Sequence, residues 1–160
     1  MQTNSRTDPN DTSTKAAQEI RYWMSALPIT ITADAPVSEA LALMHEHAIR
    51  RLPVVTNTGE LCGMITDGDI RGADVLHATG LDLREIASSL RRILVYEVMA
   101  ERPISVAPAT TLREAALLML DNKIGGLPVV DAGNIVVGVI TESDLFEALV
   151  CYLDYAATHA

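Results

Sequence analysis

The chain has few aromatic and cysteine side chains and no long apolar run. Each of these absences excludes a class of protein or a kind of core. Phe, Trp and Tyr make up 4% of the residues although 49% are apolar, so the core must be aliphatic. Two cysteines cannot form a disulfide framework, and Cys62, inside an apolar run, is predicted to be a buried thiol. Charges such as Glu147 and Asp154 interrupt the apolar stretches, which excludes a bilayer-spanning helix. With no apolar core of the signal-peptide type at the N-terminus, these features predict a soluble cytoplasmic protein.

Basic charge is also scarce. Lys and Arg number 12 against 21 acidic residues, and the formal net charge is −9. Nucleic acids and anionic membranes attract basic surfaces, so neither is a predicted partner. A small anionic ligand remains compatible with this charge, because a few local arginines can outweigh the global sign.

Catalytic motifs are missing as well. His45 and His47 are two residues apart and point in different directions from a helix, and no cluster of His, Cys and acid has metal-ligand spacing. No glycine-rich phosphate loop or nucleophile elbow occurs. We therefore predict a protein that is not an enzyme and has no metal site of its own.

What the sequence does contain is a repeat. Residues 63–69 (GMITDGD) return as residues 138–144 (GVITESD), 75 residues further on. The same shift carries residues 52–55 (LPVV) onto 127–130 without a gap. A period this long exceeds that of solenoid repeats and indicates two domain-sized copies.

Apolar spacing within each copy predicts a strand, a helix, two more strands and a second helix. Residues 29–31 and 104–106 alternate apolar and hydroxyl side chains, as short strands do. Residues 52–65 and 127–140 each contain two apolar runs separated by a turn, which is typical of a hairpin.

Helices are predicted before and after each hairpin. The first helix of the second copy has a capping box made by Thr111 and Glu114. The first copy has Pro36 in place of Thr111, so Asp34 is its predicted cap. The last segment, 142–157, reads as one long helix whose apolar face has room for a partner subunit.

These elements predict an α/β (α+β) protein. Residues 1–17 form a disordered tail, 18–78 the first copy, 79–95 a helical linker that Asp82 caps, and 96–160 the second copy with its C-terminal helix. Because a three-stranded sheet with two helices exposes an apolar face, the copies are expected to pack as a pseudo-twofold pair.

Thr66 and Asp69 follow a strand and open a helix, and two interpretations of them stay open. A Thr-x-x-Asp sequence in this place is ordinarily a capping box, with no function beyond stability. Alternatively, Gly63 in the preceding strand admits a ligand, and the helix N-terminus attracts its phosphate. The recurrence of the motif as Thr141 and Asp144, after Gly138, favours the ligand.

Arg50 and Arg51 precede the hairpin of the first copy. They are either a solvated strand entrance, with Glu46 pairing with Arg50, or a guanidinium pair aimed at phosphate. The second copy has Gly125 and Gly126 there. We therefore predict unequal clefts, with the more highly charged ligand in the cleft of Thr66.

These linked motifs, repeated in order, resemble a tandem pair of CBS domains, or Bateman module, of the stand-alone bacterial CBS-pair type. The resemblance covers about residues 24–148. It implies a regulatory module that binds AMP, ADP, ATP or S-adenosylmethionine between the copies, with Mg²⁺ able to accompany a polyphosphate. It also implies a homodimer and an effector protein that the sequence does not name. The alternative is a non-catalytic dimeric scaffold with vestigial clefts.

The resemblance also assigns residues to two clefts, each combining the Thr-x-x-Asp motif of one copy with the first strand of the other. Ribose and phosphate contacts fall to Thr66 and Asp69 in one cleft and to Thr141 and Asp144 in the other. The implied wall residues, which fit the hydrophobic core equally well, are Ile29, Thr30, Ile49, Ile104, Ser105 and Ile124.

Overall fold

A computed structural model of the chain describes residues 18–72 and 83–159. The predicted tail at residues 1–17 and the predicted cap Asp82 lie outside the described residues. In chain order the elements are β1 (Ser25–Ala26), β2 (Ile31–Thr32), α1 (Val37–Glu46), β3 (Arg51–Val55), β4 (Leu61–Thr66), α2 (Asp67–Gly72), α3 (Leu83–Arg92), β5 (Ala100–Glu101), α4 (Leu112–Asn122), β6 (Gly126–Val130), β7 (Val136–Thr141) and α5 (Glu142–His159). The mixed α/β class and both hairpins are confirmed.

Two sheets form, and each takes an edge strand from the other half of the chain. The first sheet has the order β2-β3-β4-β5 and the second the order β1-β7-β6. β5 pairs antiparallel with β4, and β1 pairs antiparallel with β7, at positions that correspond under the 75-residue shift. The prediction of three strands taken from one copy is therefore wrong for both sheets, because β5 adds a fourth strand to the first sheet and β1 of the first copy is one of the three strands of the second.

The first strand of each copy is shorter than predicted. β2 begins at Ile31, which pairs in parallel with Val54, and Ile29 and Thr30 precede it without strand pairing. In the second copy Val106 forms a single parallel bridge with Val129. Only the end of each predicted strand reaches a partner.

Each half has its own aliphatic core. Like the edge strands, which we call exchanged strands, one residue of each core comes from the other half of the chain. Val95 is fully buried in the core of the first sheet, and Ile20 is fully buried in the core of the second. Backbone hydrogen bonds fix these segments: Val95 N donates to Ala35 O, and Ile20 N donates to Thr110 O, both at 2.9 Å. The segment before each copy therefore packs with the opposite hairpin.

The starts of α1 and α4 differ. Thr111 and Glu114 form the predicted capping box of α4. At α1 the N-cap is Pro36, without a side-chain hydrogen bond, so the prediction of Asp34 is wrong. The backbone compensates, because Val37 N donates to Ile93 O at 2.9 Å.

Cys62 lies half-buried in β4, and its thiol donates to the carbonyl oxygen of Val54 at 3.4 Å. Burial raises the pKa of the Cys62 thiol, and a backbone hydrogen bond lowers it in part. Cys151 is exposed, and both cysteines are free. Across the described ranges, no helix has the length and apolar character needed to cross a membrane.

Candidate functional site

Two cavities lie between the halves of the molecule, and the 75-residue shift relates their linings. We call them the Thr66 cleft, of about 620 Å³, and the Thr141 cleft, of about 400 Å³. Of the residues that the sequence assigns to ligand binding, the Thr66 cleft is lined by Arg50, Arg51, Thr66, Asp69, Ile104 and Ile124. The Thr141 cleft is lined by Ile29, Ile49, Arg50, Arg51 and Thr141.

The remaining assigned residues lie outside both linings, and they are Thr30, Gly63, Ser105, Gly138 and Asp144. Thr30 and Ser105 neighbour the wall residues Ile29 and Ile104 along the chain. Each cleft nevertheless joins the helix entrance of one copy to the segment before the first strand of the other.

Thr66 and Asp69 form a complete capping box. Asp69 Oδ2 accepts from Thr66 N at 2.8 Å and from Thr66 Oγ1 at 2.7 Å, while Asp69 N donates to Thr66 Oγ1 at 3.1 Å. Within the described residues, Asp69 Oδ1 receives no hydrogen bond, so the carboxylate keeps one oxygen for another donor. The capping and ligand interpretations are therefore compatible.

Thr141 and Asp144 repeat two of these three hydrogen bonds at the start of α5. Asp144 Oδ2 accepts from Thr141 N and from Thr141 Oγ1, both at 2.7 Å. The same pair of bonds therefore fixes a Thr side chain in the lining of each cleft.

Gly63 and Gly138 have a different role from the one that the sequence predicts. A β-carbon on Gly63 would overlap the sulfur of Met99, and one on Gly138 would overlap the sulfur of Met24. Each methionine directly precedes an exchanged strand, β5 or β1. The missing side chains admit these strands, and the interpretation as room for a ligand stays a prediction.

Arg51 lies between the two clefts, against the glycines of the second copy. A β-carbon on Gly125 would lie 2.9 Å from Arg51 Nη2 and 3.0 Å from Glu142 Oε2. Burial lowers the pKa of the Arg51 guanidinium, the charge of Glu142 raises it and that of Arg50 lowers it further. Gly125 and Gly126 correspond to Arg50 and Arg51, and side chains there would take the space that the Arg51 guanidinium occupies.

Arg50 is exposed and lines both clefts. Because α1 ends at Glu46, these two residues do not share a helix face, and no Glu46–Arg50 ion pair forms in the described part of the chain. Arg71 also lines the Thr66 cleft, where its Nη2 lies 2.7 Å from Asp67 Oδ2.

Sequence reasoning missed two basic residues at the Thr66 cleft, Arg102 and Lys123. Both have left-handed backbones, with φ values of 47° and 55°. Their counterparts at the Thr141 cleft are Leu27 and Ala48, with φ values of 54° and 52°. Lys123 ends α4, where a left-handed residue is common. The correspondence of both positions shows that the two cavity walls share the same backbone conformation.

The comparisons with known proteins identify the family. The CBS domain model matches residues 8–75 and 95–151. The chain belongs to the CBS domain family. A CBS domain-containing protein of Dictyostelium discoideum is 34% identical over 135 residues, which cover 84% of this chain and 93% of the relative.

Solved CBS-pair structures share this fold. CBSX2 in complex with AMP superposes with a TM-score of 0.70 at 26% identity, covering 84% of this chain and 97% of CBSX2. The CBS domain pair of protein MJ0100 in complex with 5′-methylthioadenosine and S-adenosyl-L-methionine also has a TM-score of 0.70, at 27% identity and with coverage of 84% and 97%. The pseudo-twofold pair of CBS repeats is therefore confirmed.

Proposed function

We propose that this chain is a non-catalytic regulatory module that binds an adenosine-containing ligand in the clefts between its CBS repeats. The observation that carries the proposal is the pair of equivalent clefts, each presenting a Thr hydroxyl at a helix entrance beside arginine side chains. The ligands in the related structures, AMP, 5′-methylthioadenosine and S-adenosyl-L-methionine, all contain adenosine. AMP, ADP, ATP and S-adenosylmethionine are the candidates, and Mg²⁺ would accompany a polyphosphate.

Regulation requires the ligand to bind one arrangement of the halves more tightly than another. Each cleft takes residues from both repeats, so a ligand touches both halves at once. An effector protein would then read the changed arrangement. This transmission to a partner is part of the proposal.

A homodimer is the second part of the proposal. A groove of about 440 Å³ between α4 and α5 is lined mostly by apolar side chains. Phe146, Leu149 and Tyr152 line this groove with about half or more of their surfaces exposed. A contiguous apolar face of this kind is typical of a protein–protein interface.

Calorimetric titration tests the ligand proposal. The protein is stripped of bound ligand by unfolding and refolding, then titrated with AMP, ADP, ATP, S-adenosylmethionine and the guanosine counterparts. Saturable binding of adenosine compounds is expected, and the stoichiometry gives the number of active clefts.

The double variant D69A/D144A removes the carboxylates that are expected to accept hydrogen bonds from the ribose hydroxyls. We expect loss of ribose-dependent binding, with a separate stability cost of about 1 kcal/mol per lost cap. The matched control is D34A/D121A, which removes two exposed acids outside both clefts. Unchanged binding by D69A/D144A would refute the site assignment. Absence of any nucleotide binding to the unaltered chain would favour the dimeric scaffold instead.

A further inference from the structure

The charges of the two clefts differ strongly although their backbones correspond. Five basic and two acidic residues line the Thr66 cleft, whereas two basic and one acidic residue line the Thr141 cleft. Arg50 and Arg51 belong to both linings, so they contribute nothing to the difference. The reason given by the sequence for unequal clefts therefore fails, and other residues must produce the inequality.

Arg102 and Lys123 account for most of the difference. At the Thr141 cleft the corresponding residues are Leu27 and Ala48, with backbone φ values within ten degrees of theirs. Two cations of one cleft are thus replaced by two apolar side chains on the same left-handed backbone.

Both cations are available to a ligand. Arg102 and Lys123 are exposed, and neither makes an ion pair within the described ranges. Arg71, by contrast, is held by Asp67. Unpaired like charges around one cavity repel one another, and an anion between them relieves that repulsion.

Size points in the same direction as charge. The Thr66 cleft, at about 620 Å³, is larger than the Thr141 cleft, at about 400 Å³. A ligand with additional phosphate groups needs both more room and more cations, and the same cleft offers both.

We propose that Arg102 and Lys123 make the Thr66 cleft a site for a polyphosphate-bearing ligand, while the Thr141 cleft takes a ligand with fewer negative charges. The inference rests on the proposed function for the adenosine part of the ligand. The argument that the ligand bears several phosphates rests only on the charged residues that line the two clefts.

The test is a residue-resolved titration followed by the backbone amide NMR signals of Gly68 and Ser143. Gly68 lines the Thr66 cleft and its counterpart Ser143 lines the Thr141 cleft. Adenosine, AMP, ADP, ATP and inorganic tripolyphosphate are added separately. We expect affinity measured at Gly68 to rise with phosphate number, by roughly tenfold or more from adenosine to ATP, with little rise at Ser143.

Exchanging the two residue pairs identifies the cause. R102L/K123A gives the Thr66 cleft the residues of the other cleft, and the ratio of ATP affinity to adenosine affinity at Gly68 should fall by roughly tenfold or more. L27R/A48K should raise ATP affinity at Ser143. The control R91L/R92A removes two exposed cations of α3 outside both clefts and should alter neither signal.

The outcomes separate this inference from the proposed function. Equal affinity of ATP and adenosine at Gly68, or an unaltered ratio in R102L/K123A, would overturn the inference while adenosine binding stands. Tripolyphosphate binding at Gly68 that depends on Arg102 and Lys123, without any preference for adenosine compounds, would support the inference and refute the adenosine proposal. If neither tripolyphosphate nor ATP moves the Gly68 signal, the inference is wrong.

Discussion

At the scale of single residues, Met24 and Met99 explain why the second strand of each hairpin contains a glycine. Each methionine lies over a glycine α-carbon, Gly138 for Met24 and Gly63 for Met99, where any β-carbon would collide with it. Both glycines are buried, and the backbone fixes the direction of a β-carbon, so the methionine side chain would have to move. The pair of residues thus sets how closely the exchanged strand approaches the hairpin.

Gly63→Ala should therefore destabilise the fold by about 1–3 kcal/mol through overpacking. The measurement is the free energy of unfolding in urea. In a Met99→Ala background the same change should cost less, because the sulfur that it displaces is gone.

Gly72→Ala is the matched control for Gly63→Ala, since an added β-carbon there meets nothing within 4 Å. Its effect on the free energy of unfolding should be small or favourable in a helix. Equal costs for Gly63→Ala with and without Met99 would refute this account of the glycine.

Residue types alone could not reveal Arg102 and Lys123. An isolated cation outside a motif is ordinarily a solvated charge, and the left-handed backbone of these positions leaves no composition signal. A comparison of the copies position by position would have found them, because Leu27 and Ala48 are their counterparts. The same comparison does predict the Thr-x-x-Asp geometry, since both copies keep the residues that form the caps.

At the scale of elements, corresponding helices begin in different ways. α4 begins with hydrogen bonds in both directions between Thr111 and Glu114, whereas α1 begins at Pro36 without a side-chain cap. Hydrogen bonds from the backbone and hydroxyl of Thr111 hold the pKa of Glu114 below its ordinary value. Ionised Glu114 is therefore favoured in the folded protein.

This shift predicts a dependence of stability on pH. A carboxyl with a lowered folded pKa stabilises the protein fully above its unfolded pKa of roughly 4.3, and the contribution disappears as pH falls through the lower folded value. Glu114→Gln should remove that part of the acid dependence of the unfolding midpoint, measured by circular dichroism from neutral to acidic pH.

Glu39 occupies the corresponding position of α1 and makes a matched control. Because α1 has no side-chain cap, Glu39→Gln removes a carboxylate at the same helix position without breaking a capping box. If both variants changed the profile equally, the capping box would not be the cause.

Hairpins and helices could be predicted because their apolar periods are local. The strands β1 and β5 could not, because Ser25–Ala26 and Ala100–Glu101 are two residues long, exposed and without a period. Their strand pairing depends on the opposite repeat. The late start of β2 has a different origin, because Ile31 pairs with Val54 of the same repeat.

At the scale of the whole molecule, the outer face of α5 leaves apolar side chains exposed. α5 extends over 18 residues, and its exposed apolar side chains continue the groove that it forms with α4. Tyr152 and Leu153 are both more than half exposed. Such surface is costly in water, which supports the proposal that a second copy covers it.

Phe146→Glu and Leu149→Glu should each weaken dimerisation by about a hundredfold, because every dimer would bury two charges in an apolar groove. Analytical ultracentrifugation over a range of protein concentrations measures the effect. Tyr96→Glu, at an exposed aromatic residue that does not line the groove, is the control and should leave the dimer intact. A monomeric unaltered protein, or dimers that tolerate both substitutions, would contradict the proposed interface.

The division of the chain into 18–78, 79–95 and 96–160 stays a prediction about the sequence repeat. The packing units cut across it: Ile20 is buried in the core of the second half and Val95 in the core of the first. The helix α3 lies within the predicted linker, and Leu90 near its end packs against the first core.

The exchanged strands also impose an order on folding during synthesis. The first sheet takes its strands from residues 31–101, so it can close as soon as β5 has left the ribosome. Ser25 and Ala26 are made earlier, yet they must wait for Val139 and Gly138. Until β7 emerges, β1 has no strand with which to pair. The nascent chain can therefore contain a complete first sheet while β1 is still unpaired. Closure of the second sheet then pairs Ser25 and Ala26, near the start of the described residues, with Val139 and Gly138 of the second repeat.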